Sequence, residues 1–166
     1  MQTYDAKAVA RLDRLYSTPQ IVDQRRRFRA IISARPGEVG LDVGCGVAYL
    51  ACELAREVEP RGRIKAIDNS QDSVEASKTR IAREGLERLV DVRIGDAADL
   101  QFPDETFDFV AATQVYCYVP DAARAVKEAA RVLRKGGRLV ILDSDWDICI
   151  WESSDRLLTR RIIDAR

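Results

Sequence analysis

From position 39 to position 142, short apolar runs alternate with longer segments in which apolar residues recur every three or four positions. That alternation is the pattern of βαβ units, in which strands buried on both faces are covered by the helices that connect them. Residues 39–43, 63–67, 90–94, 107–113 and 138–142 read as five strands. Helices lie between them. One runs from about 48 to 58, and a second carries Val74, Ser77 and Ile81 on one face and stops at Gly85. A third is capped by Asp121, buries Ala122, Val126, Ala129 and Leu133, and ends at Gly136-Gly137. Right-handed crossovers then predict an α/β fold built on a doubly wound, mostly parallel sheet.

Upstream of Pro36-Gly37 the pattern is helical. Residues 3–16 place Ala8, Leu12 and Leu15 on one face. After Thr18-Pro19 a second helix turns Ile21, Phe28 and Ile32 inward and leaves Arg25, Arg26, Arg27 and Arg29 largely outside as a solvated basic face. Downstream, 153–166 reads as one amphipathic helix through Leu157, Leu158, Ile162 and Ile163. The organisation expected is a helical cover at 1–36, a core at 37–150 and a helical tail at 151–166.

Composition narrows the function. The 166 residues suit one domain with a full core, and 46% hydrophobic with 33% charged residues excludes disordered and low-complexity classes. The 27 basic and 27 acidic side chains cancel, so no long-range field favours nucleic acid or an anionic membrane, and a small-molecule partner is expected. The absence of His removes the commonest general base and metal ligand. Cys45, Cys52, Cys117 and Cys149 show no metal-ligand spacing, so no metal is expected and reduced thiols fit a cytoplasmic protein. The N-terminal MQTYDAKAVARLDR is charged where a signal peptide is apolar, and no stretch reaches the roughly 18 apolar residues of a membrane span.

Ligands of open parallel sheets bind beyond the carboxyl ends of the strands, and the unusual residues fall there. The first strand ends in Asp42-Val43-Gly44-Cys45-Gly46-Val47-Ala48, where Gly44 and Gly46 let the backbone turn tightly against a ligand. Tyr49 occupies the third glycine position of a G-x-G-x-x-G fingerprint, which disfavours a dinucleotide. Asp68 closes the second strand 22 positions after Gly46, near the spacing for an acid that accepts ribose hydroxyls. Asp96-Ala97 follows the third strand, a carboxylate and a backbone N–H suited to adenine. Three acids after three successive strands point to one adenosine-containing ligand.

These residues resemble the class I S-adenosylmethionine-dependent methyltransferases, most nearly their ubiquinone/menaquinone C-methyltransferase-like branch. Residues 41–48 resemble the family's glycine-rich motif, with Ala48 where a third glycine is common; 66–70 resemble its ribose motif and 95–97 its adenine motif. Residues 102–108 and 132–140 resemble the segments that enter its fourth and fifth strands. The resemblance implies strand order 3-2-1-4-5 and S-adenosylmethionine as cofactor. It also implies that Asp42 orients the methionine amino group, Gly44, Cys45 and Gly46 pass the cofactor along the backbone, Asp68 with Asn69 holds the ribose, Asp96 and Ala97 read adenine, and Gln114 lies beside the methionyl group. The N-terminal helices resemble the family's cover, with Tyr16 and Thr18 facing the cofactor.

The function expected is methyl transfer to a small-molecule acceptor. A cofactor-binding but inactive or truncated subunit and an NAD-dependent oxidoreductase stand as alternatives. The catalytic residue is not identified by the sequence: Tyr116, Tyr118, Cys117 and Asp145 are candidate bases, with Tyr116 and Tyr118 expected to line a pocket, and Asp143, Asp145 and Asp147 read as strand-exit caps rather than metal ligands. The family's sixth and seventh strands have no counterpart after position 143, which predicts a fifth strand at the sheet edge and either truncation or pairing of two copies through that edge or the Trp146-Trp151 tail.

Overall fold

The computed structural model describes residues 6–145, 155–157 and 160–161. Two helices, α1 (Ala6–Tyr16) and α2 (Pro19–Ile32), precede β1 (Val39–Val43), α3 (Tyr49–Val58), β2 (Arg63–Asp68), α4 (Gln71–Arg83), β3 (Val90–Ile94), β4 (Phe107–Thr113), α5 (Ala122–Val132) and β5 (Leu133–Leu142). All four strand pairings are parallel, in the order β3-β2-β1-β4-β5. The order reverses between β1 and β4, so their tips open a crevice.

Alternate strand residues feed two cores. Phe28, Ile32, Leu54, Val58, Ile64, Val74 and Phe109 fill one face beneath α2, α3 and α4, while Leu41, Val43, Phe107, Val110, Ala129 and Val132 fill the other beneath α5. Gly40 is required by the first core: a Cβ there would stand 2.1 Å from the Phe109 ring. Arg138 fastens β5 to the rest, pairing with Glu38 at 2.7 Å and donating to the Ser33 carbonyl at 2.9 Å.

Four expectations are corrected. The last helix ends at Val132 rather than at Gly136-Gly137, and Leu133 is already the first residue of β5 with an extended backbone. The register steps from Phe107↔Leu133 to Phe109↔Arg138, so residues 134–137 form an excursion that Gly136 turns at φ +80 and the Arg134–Asp108 pair holds at 2.7 Å. Val126 is exposed. In α2, Arg25 points inward, because Glu53 at 3.1 Å and the Tyr16 carbonyl at 2.6 Å neutralise and satisfy its guanidinium. On α1, Leu15 is exposed and Leu12 is the residue turned toward the strand tips. Among the described residues β5 is a sheet edge, as expected, and the Trp146-Trp151 segment lies outside them.

Candidate functional site

The turn after β1 is pinned from three directions. Gly46 donates its N–H to Asp68 Oδ2 at 2.9 Å, Cys45 donates its N–H to the Ile67 carbonyl at 2.9 Å, and Ser77 on α4 donates its hydroxyl to the Gly46 carbonyl at 2.8 Å. Gly44, Gly46 and Ala48 all have positive φ. At Gly44 a Cβ would strike Val115 at 2.4 Å, so only glycine lets this turn meet the loop after β4. Ala48 adopts the left-handed conformation (φ 60) as N-cap of α3, the position where the related motif favours glycine.

Asp68 is buried with both oxygens engaged, Oδ1 accepting the Ser70 N–H at 2.9 Å and Oδ2 that of Gly46. Burial pushes its pKa up, and the N–H groups of Ser70, Gly46 and Asn69 pull it back. A carboxylate offers about four lone-pair positions, so acceptor capacity remains toward the crevice. Asp96 fixes its own turn by accepting the Ala98 N–H at 2.8 Å. Beyond β4, Asp143 accepts the N–H groups of Val115 at 2.7 Å and Tyr116 at 3.1 Å, while Gln114, at φ 58, donates its own N–H to the Leu142 carbonyl at 2.7 Å. The expected strand-exit cap is therefore present at Asp143.

Two clefts open at these tips. The first, about 770 Å³ and open to solvent, gathers Gly44, Gly46, Asp68, Asn69, Asp96, Ala97 and Gln114, seven of the nine residues singled out in the sequence. The second, about 1180 Å³, takes in the other two, Asp42 and Cys45, with Arg25 and Tyr49 on its wall. Leu12, Tyr16, Gly44, Thr113, Gln114 and Tyr118 border both clefts, so the two are one continuous site.

The second cleft is polar at its base. Asp42 is fully buried, its Oδ2 has no hydrogen-bond partner, and burial with the neighbouring Asp68 charge pushes its pKa up to about 8. Thr113 Oγ1 is likewise buried without a partner. Asp42 and Thr113 share a sheet face, since Asp42 registers with Ala111 on β4 and Thr113 lies two residues further on. Burial raises the Cys45 thiol well above its ordinary range, which favours the thiol over the thiolate.

The structure rearranges several secondary expectations. Tyr118 lines both clefts, but Tyr116 packs into the core beneath α5, where burial pushes its phenol up to about 12. Tyr16 faces the site. Thr18 does not, because its hydroxyl donates to the Leu15 carbonyl at 2.7 Å. Thr113, Ser73 and Val119 line the site without a signal in the sequence, each looking like an ordinary residue at a strand or helix end.

An open parallel sheet with a glycine turn and acids at successive strand tips defines an α/β domain of the class I S-adenosylmethionine-dependent methyltransferase fold. Residues 41–141 match the family model described as a methyltransferase domain, and the chain belongs to that family. It is 38% identical over 164 residues to the "Uncharacterized 37.1 kDa protein in transposon TN4556" of Streptomyces fradiae, covering 94% of this chain and 46% of that protein. It is 34% identical over 143 residues to a demethylmenaquinone methyltransferase of Symbiobacterium thermophilum, covering 86% and 55%. The chain spans about half the length of the curated relatives it matches. Among solved structures, a SAM-dependent methyltransferase from Aquifex aeolicus superposes with a TM-score of 0.76 at 21% identity, over 92% of this chain and 78% of that one. The [4+2]-cyclase SpnF superposes at 0.69 with 28% identity, over 81% and 47%. No helix among the described residues is long and apolar enough to cross a membrane.

Proposed function

We propose that this chain binds S-adenosylmethionine in the first cleft and presents its methyl group to a small-molecule acceptor in the second. The observation that supports this reading is the shared border: a ligand anchored at Asp68 and Asp96 reaches the second cleft across Gly44, Thr113 and Gln114. The residues suit the cofactor. Asp68 with Asn69 accepts ribose hydroxyls, Asp96 and Ala97 meet adenine, and Gly44 and Gly46, on either side of Cys45, leave the backbone bare for the linker. The unpartnered oxygens of Asp42 and Thr113 offer acceptors for an ammonium group beside Gln114.

S-adenosylmethionine supplies a methyl group already activated on a sulfonium, so the protein has to position the acceptor and exclude water. Leu12 and Tyr16 shield the site from above, and Tyr118 stands where the clefts meet. Should the acceptor need to lose a proton, Tyr118 is the candidate base from the sequence that lines its cleft. The similarity to a demethylmenaquinone methyltransferase supports a quinone-like acceptor with an apolar body, which Leu15, Ile21 and Leu50 would contact. In this reading residues 1–36 serve as cover, 37–150 as core and 151–166 as tail, and the buried thiols of Cys45 and Cys52 suit the reducing cytoplasm.

Calorimetric titration with S-adenosylmethionine, S-adenosylhomocysteine and NAD tests the first half. Saturable heat with the first two and none with NAD is expected, and the reverse overturns it. Turnover on a panel of hydroxyquinones, phenols and amines tests the second half. Tight binding without turnover on any acceptor would favour a cofactor-binding subunit.

A further inference from the structure

Arg80 lies in the last turn of α4, and its side chain is only 7% exposed. A buried guanidinium is tolerated when each part of its fork is occupied, and here each part reaches a different element. Nε donates to the Val47 carbonyl at 2.7 Å, inside the glycine-rich turn; Nη1 meets Glu84 at 3.4 Å; Nη2 pairs with Asp13 on α1. The guanidinium carbon lies 3.5 Å from the centre of the Tyr49 ring, the first residue after that turn. Tyr49 in turn donates its hydroxyl to the Asp13 carbonyl at 3.4 Å and meets Tyr16 edge-on at 6.5 Å.

Of these partners, Val47, Glu84 and Tyr49 belong to the body of the sheet domain. Asp13 belongs to the helix that carries Leu12 and Tyr16 over both clefts. Asp13 is half exposed, so water and salt reach that end of the pair while the other end stays buried. We propose that Arg80 is a positioning residue that ties α1 to the glycine-rich turn, so that the cover closes on Asp13 only when the turn holds the Val47 carbonyl against Arg80. Lifting α1 breaks the Asp13 pair together with the Tyr49–Asp13 and Arg25–Tyr16 hydrogen bonds and the Tyr49–Tyr16 contact, and leaves Arg80 held in the body by Val47, Glu84 and Tyr49.

The test rests on the proposed function only in its ligand arm. In the ligand-free full chain, Asp13→Asn should speed amide hydrogen exchange of residues 6–16 about three- to fivefold, the range a partly exposed ion pair supports, without changing exchange in β1 or β2. Raising salt from about 0.05 to about 0.5 M should speed that exchange in the wild type and leave Asp13→Asn unaffected. Asp13→Glu should restore both the slow exchange and its salt dependence. Arg80→Lys, which keeps the charge but loses the fork, should behave like Asp13→Asn. In the ligand arm, the same variants should release S-adenosylhomocysteine faster by a similar factor. Wild-type exchange and intact salt dependence in Asp13→Asn would overturn the proposal. Wild-type protein that binds no S-adenosylhomocysteine would overturn the proposed function and leave the exchange result standing.

Discussion

Gly46 donates its backbone N–H to Asp68 Oδ2 across 2.9 Å, joining the turn after β1 to the tip of β2. The carboxylate thus sets the turn and faces the cleft at once. Asp68→Ala removes charge-assisted hydrogen bonds worth about 1.5–3 kcal/mol each and should weaken cofactor binding at least about tenfold. It should also lower the melting temperature, since the Gly46 and Ser70 N–H groups lose their acceptor. Calorimetry alongside thermal denaturation checks both, and a folded variant with unchanged affinity would remove Asp68 from the site.

Asp42 predicts a pH dependence of definite sign. With its pKa lifted from 3.8 to about 8, the folded chain holds a proton that the unfolded chain has released, so stability should fall as pH rises between those values. Asp68, also shifted upward, acts in the same direction. Asp42→Asn should flatten the slope in urea denaturation series taken across that range. A cationic ligand group at Oδ2 favours the carboxylate, so binding at neutral pH should release up to about one proton. Titrations in buffers of different ionisation enthalpy measure that release, which Asp42→Asn should abolish.

Gly40 faces Phe109 so closely that a methyl group has no room. Gly40→Ala should cost about 1–3 kcal/mol through displacement of the ring, read as a lower urea midpoint. Phe109→Leu in the same chain should recover part of that loss, because the two changes meet in one space. An unchanged midpoint in Gly40→Ala would contradict the packing.

β5 carries an outer edge that no described strand pairs, with Ile141 exposed along it. Unpaired strand groups next to apolar side chains favour association, so light scattering over a concentration series should show dimers at the upper end. Ile141→Lys should shift the midpoint of that transition to higher concentration, and a monomer throughout would rule out pairing at this edge.

The strands were legible because burial on both faces leaves unbroken apolar runs, their order only through the family resemblance, and the site because a parallel sheet places its chemistry where those runs end. That logic located Asp42, Asp68 and Asp96 at three tips and Gly44 and Gly46 at the first. The end of α5 was not legible. Leu133 satisfies a helical period as well as a strand, and only pairing with Phe107 and the excursion at 134–137 decided between them. Nor could one-dimensional periodicity show that Arg25 and Arg80 are buried, since an arginine reads as solvated until acceptors from distant elements surround its fork. Glu53 lies 28 positions from Arg25, and Asp13 lies 67 from Arg80. The sequence determined which residues stand at the sheet's carboxyl edge, because local periodicity and turn chemistry suffice for that. Tertiary structure alone decided that those residues divide into two joined clefts, that burial beside Asp68 pushes the Asp42 pKa up, and that Arg80 and Arg25 both reach α1, because each depends on burial and on partners the chain brings together only when folded.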